Sequence, residues 1–149
     1  PRFSERLPSL LQSLVAGPNT LCHGDFRADN ILFNSDNEPV LIDFQLLGSG
    51  TGAYDVAYFI TQSLTKEDAS KYERELFDRW IAGLQGEGLV VDAEDLWLQY
   101  RRCALFCLAY PVIASRGMDL NNDRERTLIE MMNERFDRAV RELNLAELM

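Results

Sequence analysis

The chain has 149 residues, of which 46% are hydrophobic and 26% are charged, and its formal net charge at pH 7 is −9. This length suits a single domain, residues 1–149, with a substantial core, and the composition is ordinary for a globular protein. The acidic balance argues against nucleic acid or an anionic membrane as the main partner, since both bind basic surfaces. No apolar run approaches the roughly 18 to 20 residues that a membrane span needs.

The three cysteines, Cys22, Cys103 and Cys107, are odd in number and irregularly spaced, which is not the pattern of a disulfide framework. Cys103 and Cys107 would share one helix face, but a zinc site needs further ligands, and His23 is the only histidine. We therefore expect buried, reduced thiols. Free thiols are typical of a reducing compartment, so we expect a cytoplasmic location.

The first predicted element is an amphipathic helix over residues 8–16, which Gly17 and Pro18 would end. Two short apolar runs follow, ILF at residues 31–33 and VLI at residues 40–42. The segment between them, NSDNEP, is rich in turn-forming residues. This pattern predicts a β-hairpin.

From residue 53 onward the apolar residues recur at helical spacing and predict four helices that supply the core. The predicted ranges are 53–64, a helix after Thr65 to residue 85, 93–115, and a last helix that reaches residue 143. Candidate N-caps for the last three helices are Thr65, Asp92, and Asn121 or Asn122. Pro111 should kink the third helix or end its regular part.

The segment HGDFRADNILF, at residues 23–33, and the segment LIDFQ, at residues 41–45, contain the most informative polar residues. Asp25, Asn30 and Asp43 are oxygen-bearing side chains at the spacing of a phosphoryl-transfer site. In such a site one Asp orients the attacking hydroxyl, while an Asn and a second Asp hold magnesium ions. Each residue alone is typical of a turn, but the set indicates a phosphotransferase.

Three neighbours of these residues have predicted supporting roles. His23 is expected to hydrogen-bond backbone groups and fix the loop, and Gly24 to adopt a conformation closed to larger residues. Arg27 would either reach a phosphate or pair with Asp29, and the sequence leaves both interpretations open.

Together with the glycine-rich segment after them and Asp55 in DVAYF, these motifs resemble the aminoglycoside phosphotransferase-like family of small-molecule kinases. HGD resembles the HRD of protein kinases, and IDF resembles the start of DFG. The resemblance implies that Asp25 is the catalytic base and that Asn30 and Asp43 bind Mg²⁺. It also implies that Asp55 ties the following helix to the catalytic loop. ATP would be the phosphoryl donor, and a hydroxyl of a small molecule the acceptor.

The same resemblance implies an α+β fold class, mainly α-helical, in which a short β-hairpin carries the catalytic and metal-binding loops. Only 22 residues precede His23, too few for the glycine-rich loop, strand lysine and helix glutamate of a kinase N-terminal lobe. The sequence therefore predicts a C-terminal lobe without its nucleotide-binding lobe. Such a lobe would be inactive alone and would expose an apolar edge through which it self-associates.

Other interpretations fit fewer residues. GSGTGA at residues 48–53 has the form of a dinucleotide fingerprint, but the alternating β and α units of that fold are missing, so a flexible link is expected. A non-catalytic, pseudokinase-like helical binding domain is the main functional alternative. The substrate is not indicated; Tyr100, Phe106 and Tyr110 are candidates for substrate contacts, although they fit the core better.

Overall fold

The computed structural model of this protein describes residues 3–15 and 18–149. Its first helix, α1 (Phe3–Val15), begins earlier than the predicted start at residue 8. That prediction was wrong because Pro8 lies inside the helix, where it removes one backbone hydrogen bond without ending the element. The predicted last residue of this helix and the glycine after it lie outside the described residues.

Two small antiparallel sheets precede the main helices. Strand β2 (Ile31–Phe33) pairs with β3 (Pro39–Leu41), which confirms the predicted hairpin with its second strand one residue earlier. Strand β1 (Thr20–Cys22) pairs with β4 (Gly48–Gly50), which lies in the glycine-rich segment. The expectation of a flexible link there was wrong, because backbone hydrogen bonds to β1 hold this segment in place.

The helices after β4 give the chain a mainly helical, α+β composition. Their ranges are α2 (Gly52–Ser63), α3 (Lys66–Gly86), α4 (Ala93–Cys107), α5 (Ala109–Ser115) and α6 (Asp123–Glu142). The side chains of Thr65, Asp92 and Asn122 accept hydrogen bonds from the first turns of α3, α4 and α6, as the sequence predicted. No helix within the described ranges is both long enough and apolar enough to cross a membrane.

The single helix predicted over residues 93–115 is divided at Leu108. Pro111 causes the break, because it has no N–H to donate to the carbonyl of Cys107 and its ring crowds that carbonyl. The helix therefore ends at Cys107, and α5 begins at Ala109. Tyr110 lies in the first turn of α5, directly after this break.

The core is formed mainly where α2 packs against α4, with contributions from α1, α3 and the C-terminal segment. Its largest fully buried side chains are Tyr100, Phe77, Ile60, Leu105, Leu145, Cys103 and Cys107. The three cysteines are free and buried, which confirms the predicted buried thiols. Burial raises the pKa of the Cys107 thiol from an ordinary value of 9.0 to about 12.

A buried ion pair joins three of the helices. Arg138 of α6 donates two hydrogen bonds to the carboxylate of Glu73 in α3, at 2.7 and 3.2 Å. The Tyr100 hydroxyl of α4 donates a third, at 2.5 Å. All three side chains are buried, so each oxygen of Glu73 is paired inside the core.

Candidate active site

The loop of residues 23–30, called the 23–30 loop below, lies along one face of α2. At its beginning, the two oxygens of the Asp55 carboxylate accept the backbone N–H groups of His23, at 2.7 Å, and Gly24, at 3.0 Å. Asp55 lies in the first turn of α2, where a negative charge is favoured by the helix dipole. The side chain that the sequence singled out as a tie between helix and loop therefore forms two charge-assisted hydrogen bonds with that loop.

The rest of the 23–30 loop follows the same helix face. The ring of Phe26 packs against that of Phe59, with centroids 5.3 Å apart, and the Ala28 N–H donates to Ser63 Oγ at 2.9 Å. Asp55, Phe59 and Ser63 are four residues apart and so share one side of α2. A helix of 12 residues spans about 18 Å, so the whole loop rests on one rigid support.

His23 connects the 23–30 loop to the end of β3. Its Nε2 atom lies 2.9 Å from the carbonyl oxygen of Ile42, and its Nδ1 atom accepts the N–H of Asp25 at 3.4 Å. Since a carbonyl only accepts, this geometry favours the tautomer with the proton on Nε2. The ring also packs against Phe44, with centroids 4.9 Å apart. Both polar contacts of the His23 ring are thus with backbone groups, one at Asp25 in the 23–30 loop and one at Ile42 after β3.

Gly24 adopts a backbone conformation that requires glycine. Its φ of +83° lies in the left-handed region, and a Cβ atom would stand 2.4 Å from the carbonyl oxygen of Leu46. A side chain at this position would push the segment after Asp43 away from the 23–30 loop. The close approach of these two segments therefore depends on Gly24.

Asp25 and Asn30 form the centre of the site. Only 8% of Asp25 and 5% of Asn30 are exposed. The Asn30 amide nitrogen donates to the backbone oxygen of Asp25 at 2.8 Å and to its Oδ2 atom at 3.1 Å. Both bonds are donated by the amide nitrogen, which leaves the Oδ1 atom of Asn30 as the acceptor that a cation or a donor would use.

Asp43 follows β3 in a left-handed conformation, with φ and ψ both 61°, which is uncommon outside glycine. Its side chain is exposed, and one carboxylate oxygen lies 3.5 Å from the Gln45 amide. The preceding residue, Ile42, donates its N–H to the Asn30 carbonyl at 3.0 Å. Asn30 and Asp43 are therefore brought to neighbouring backbone positions, although they are 13 residues apart in sequence.

Arg27 has two acidic neighbours. Its Nε atom lies 3.5 Å from Asp25 Oδ1, and its Nη1 atom lies 3.8 Å from Asp29 Oδ2. The Asp29 side chain is 82% exposed, so that pair contributes little. The Arg27 Nε atom is buried and forms no hydrogen bond within the described residues. The sequence left the partner of Arg27 open between a phosphate and Asp29, and did not anticipate its contact with Asp25.

Sequence reasoning missed Tyr54 and Tyr58, which lie together with Tyr110 next to the 23–30 loop. The Tyr54 hydroxyl donates to the Gly24 carbonyl at 3.3 Å and contacts the hydroxyl of Tyr110. Tyr58 stacks on Tyr54, and burial, followed by a hydrogen bond to the Asp25 carboxylate, raises the pKa of Tyr58. Tyr54 and Tyr58 are one helical turn apart in α2, one before and one after Asp55 in sequence. This spacing was the feature of the sequence from which their shared position beside Asp55 could have been predicted.

Of the aromatic residues considered for substrate contacts, Tyr100 is excluded. It is completely buried, and its hydroxyl is occupied by Glu73. Phe106 packs against Tyr54 and Tyr110 from below, with centroids 6.2 and 6.4 Å away. Only Tyr110 reaches the network around the 23–30 loop.

The donor set of Asn30 and Asp43 suits a hard divalent cation. No group of three or more His, Cys, Asp and Glu side chains in the described part of the chain is arranged to hold a metal ion. Mg²⁺ needs less than this, since it retains several waters and binds proteins through one or two carboxylates together with substrate phosphates. The Asp43 carboxylate and the Asn30 amide oxygen are donors of the kinds that this requirement names.

The surface beside the site is apolar. Several large hydrophobic side chains of the hairpin and of the turn after Asp43 are more than one-third exposed, among them Leu32, Phe33, Phe44, Leu46 and Leu47. Exposed apolar side chains gathered in this way are typical of surfaces that contact other molecules. The sequence predicted such an apolar edge, while self-association through it stays a prediction.

Comparison with known proteins gives a consistent result. A family model described as "Phosphotransferase enzyme family" matches residues 1–97, which confirms the resemblance predicted from the sequence. An uncharacterized protein of Deinococcus radiodurans is 29% identical over 93 residues, or 62% of this chain and 26% of that protein. An uncharacterized protein of Mycoplasma pneumoniae is 35% identical over 72 residues, or 48% of this chain and 26% of that protein. The matched part of the chain thus corresponds to about a quarter of these relatives.

Proposed function

The chain belongs to the phosphotransferase enzyme family, and we propose that it supplies the catalytic loop of an ATP-dependent kinase that phosphorylates a hydroxyl of a small molecule. In this proposal Asp25 is the catalytic base. Asn30 and Asp43 hold Mg²⁺, and His23, Asp55 and Arg27 keep these groups in place. Family membership supports phosphoryl transfer in general, and the assignment of residues rests on the site described above.

The observation that carries this proposal is the hydrogen-bonded unit formed by the 23–30 loop and the end of β3. Asn30 is bonded to Asp25 through its amide, and its carbonyl is bonded to Ile42, the residue before Asp43. His23 bonds the same residue from the other side. Phosphoryl transfer depends mainly on positioning and charge stabilisation, and such a unit provides the positioning.

In the proposed reaction the acceptor hydroxyl donates its hydrogen bond to the Asp25 carboxylate. As the acceptor oxygen forms its bond to the γ-phosphorus, the bond from that phosphorus to the bridging oxygen of ADP breaks, and the hydroxyl proton passes to Asp25. Arg27, beside Asp25, is a cation at the point where negative charge is transferred. Mg²⁺ bound by Asn30 and Asp43 would neutralise the phosphate charge.

We further propose that residues 1–149 form the C-terminal lobe of a protein-kinase-like fold. The loops between the short strands, which contain the proposed catalytic and metal-binding residues, and the helical remainder after them support this assignment. A kinase also needs groups that cover and grip the nucleotide phosphates, and in this proposal they belong to a second lobe. We therefore expect the 149-residue chain alone to release no ADP from ATP at a steady rate. Steady ADP release by this chain would contradict the lobe assignment.

The test uses the protein as its gene encodes it, with ADP release measured against a panel of amino alcohols, sugars and aminoglycosides. Asp25→Asn is expected to lower kcat by roughly 10²- to 10⁴-fold, the usual contribution of a general base, with MgATP binding retained. Asp43→Asn is expected to weaken MgATP binding in calorimetry. Asp36→Asn, in the exposed hairpin turn, is the matched control and should change neither value.

Two outcomes would contradict the proposal. Unchanged turnover in Asp43→Asn would exclude this residue as a metal ligand. MgATP binding without phosphoryl transfer to any acceptor, and without any effect of Asp25→Asn, would favour the non-catalytic binding domain instead.

A further inference from the structure

We propose that Tyr54 is a positioning residue for Asp25, and that Tyr110 of α5 holds Tyr54 in place. The inference rests on the proposed function, in which Asp25 is the base. Neither tyrosine is required to touch a substrate. Their role is to fix the peptide group that connects Gly24 to Asp25.

Gly24 is held by side chains on both of its backbone polar groups. Its N–H is accepted by Asp55 at 3.0 Å, and its carbonyl is approached by the Tyr54 hydroxyl at 3.3 Å. Tyr54 and Asp55 are consecutive residues in the first turn of α2. One rigid turn of helix therefore grips the residue before Asp25 from two sides.

This grip matters because glycine restrains its own backbone poorly. A residue without Cβ populates both signs of φ, so the +83° observed at Gly24 must be selected by its surroundings. The carbonyl held by Tyr54 belongs to the peptide bond that leads into Asp25. If this peptide rotates, the Asp25 carboxylate moves with it, and catalytic groups displaced by about 1 Å lose roughly 100-fold in rate.

Tyr110 completes the arrangement. The Tyr54 hydroxyl lies 3.3 Å from the Gly24 carbonyl and also contacts the hydroxyl of Tyr110. A tyrosine hydroxyl has one proton, so whenever Tyr54 donates to the Gly24 carbonyl, Tyr110 is the donor between the two hydroxyls. Tyr58 packs against both rings, with centroids 5.7 Å from Tyr54 and 4.9 Å from Tyr110. A tyrosine hydroxyl is protonated at physiological pH even at its ordinary pKa of about 10, and burial raises the pKa of Tyr54 further. Tyr110 therefore links α5 to the 23–30 loop through Tyr54.

The first experiment needs no activity and uses the 149-residue chain. Amide hydrogen exchange by NMR is compared in wild type, Tyr54→Phe and Tyr110→Phe. Tyr72→Phe, on the exposed side of α3, is the matched control. We expect exchange at Gly24 and Asp25 to accelerate about tenfold in Tyr54→Phe, less in Tyr110→Phe and not at all in the control. Amides in the middle of α3 should exchange at wild-type rates, which separates a local effect from global destabilisation.

The second experiment measures ADP release by the protein as its gene encodes it, with the best acceptor of the panel. Tyr54→Phe is expected to lower kcat by roughly 10- to 100-fold while the KM for MgATP stays constant, because the removed hydroxyl contacts no phosphate-binding residue. A structural defect that lowered the active fraction would instead reduce the concentration of MgATP-binding sites in calorimetry. Unchanged exchange at Gly24 and Asp25 in Tyr54→Phe, or unchanged kcat, would overturn the inference.

The two proposals fail in different ways. If Asp25→Asn has no effect on ADP release, Asp25 is not the base, and Tyr54 is then not a positioning residue for catalysis even if the exchange result holds. If Asp25→Asn abolishes turnover and Tyr54→Phe does not change it, the proposed function stands and the inference about Tyr54 is wrong.

Discussion

Removal of the Asp55 carboxylate should lower the free energy of unfolding more than removal of any exposed acidic side chain of this chain. Its two oxygens accept the N–H groups of His23 and Gly24 at 2.7 and 3.0 Å. Hydrogen bonds to a charged partner contribute about 1.5 to 3 kcal/mol each, so the pair is worth at most about 6 kcal/mol. Because Asp55 is partly exposed and water can reach the freed amides, we expect Asp55→Ala to lower the free energy of unfolding by about 3 kcal/mol.

Urea unfolding followed by far-UV circular dichroism measures this difference directly. Asp55→Asn should lose about half as much, since an amide oxygen still accepts one of the two bonds but carries no charge. Asp78→Ala is the matched control; its ion pair with Arg74 at 3.0 Å is exposed, and the loss should stay below about 1 kcal/mol. A loss in Asp55→Ala no larger than in the control would refute the claim that α2 holds the 23–30 loop through this carboxylate.

Three further predictions concern the core and the loop. Tyr100→Phe should lower the free energy of unfolding, measured in urea, by about 1.5 to 3 kcal/mol, because the buried hydrogen bond to the charged Glu73 is lost. A change below about 0.5 kcal/mol would show that water replaces the Tyr100 hydroxyl at Glu73. Gly24→Ala should lower the free energy of unfolding by more than about 2 kcal/mol, because the new Cβ atom would be strained and would overlap the Leu46 carbonyl. Gly83→Ala, in open space on α3, should instead raise it by roughly 0.5 to 1 kcal/mol. Equal effects of the two substitutions would contradict the close approach of Gly24 to Leu46. The thiol of Cys107 has a folded pKa of about 12 against 9.0 when unfolded, so stability should fall as pH rises from 9 towards 12. Cys107→Ala should make that fall shallower by about 1.4 kcal/mol per pH unit, and an unchanged slope would contradict the raised pKa.

The parts of the fold that the sequence predicted are those fixed by neighbouring residues. Thr65, Asp92 and Asn122 begin helices because their side chains accept N–H groups two or three residues later, and this requirement is visible in sequence. The hairpin was predictable for the same reason, since a turn-forming segment separates two apolar runs of equal length. The polar residues of the candidate site were singled out in the sequence because their spacing is that of a known chemistry, and their roles stay predictions.

The features that were missed depend on contacts between distant segments. The glycines of β4 have low strand propensity, and only pairing with β1 holds them extended. Pro111 is a local case by contrast: it was expected to kink the helix or to end its regular part, and the helix does end at Cys107, whose carbonyl Pro111 cannot bond. The Glu73–Arg138 pair joins residues 65 apart, and in sequence both resemble ordinary surface charges.

The position of Tyr54 beside Asp55 suggests why the site is built on α2 rather than on the hairpin. A two-stranded hairpin is marginally stable by itself, so β2 and β3 cannot hold a carboxylate within a fraction of an ångström. The helix α2 is buried against α4 and spans the whole 23–30 loop, so side chains along one of its faces can fix the loop at several points. In the proposed function, the helical core therefore supports Asp25 through α2, while Asp43 follows the hairpin. If Asp25 is the proposed base, substitutions in the α2–α4 interface, remote from Asp25, should lower kcat for ADP release by the protein as its gene encodes it at urea concentrations below those that unfold it.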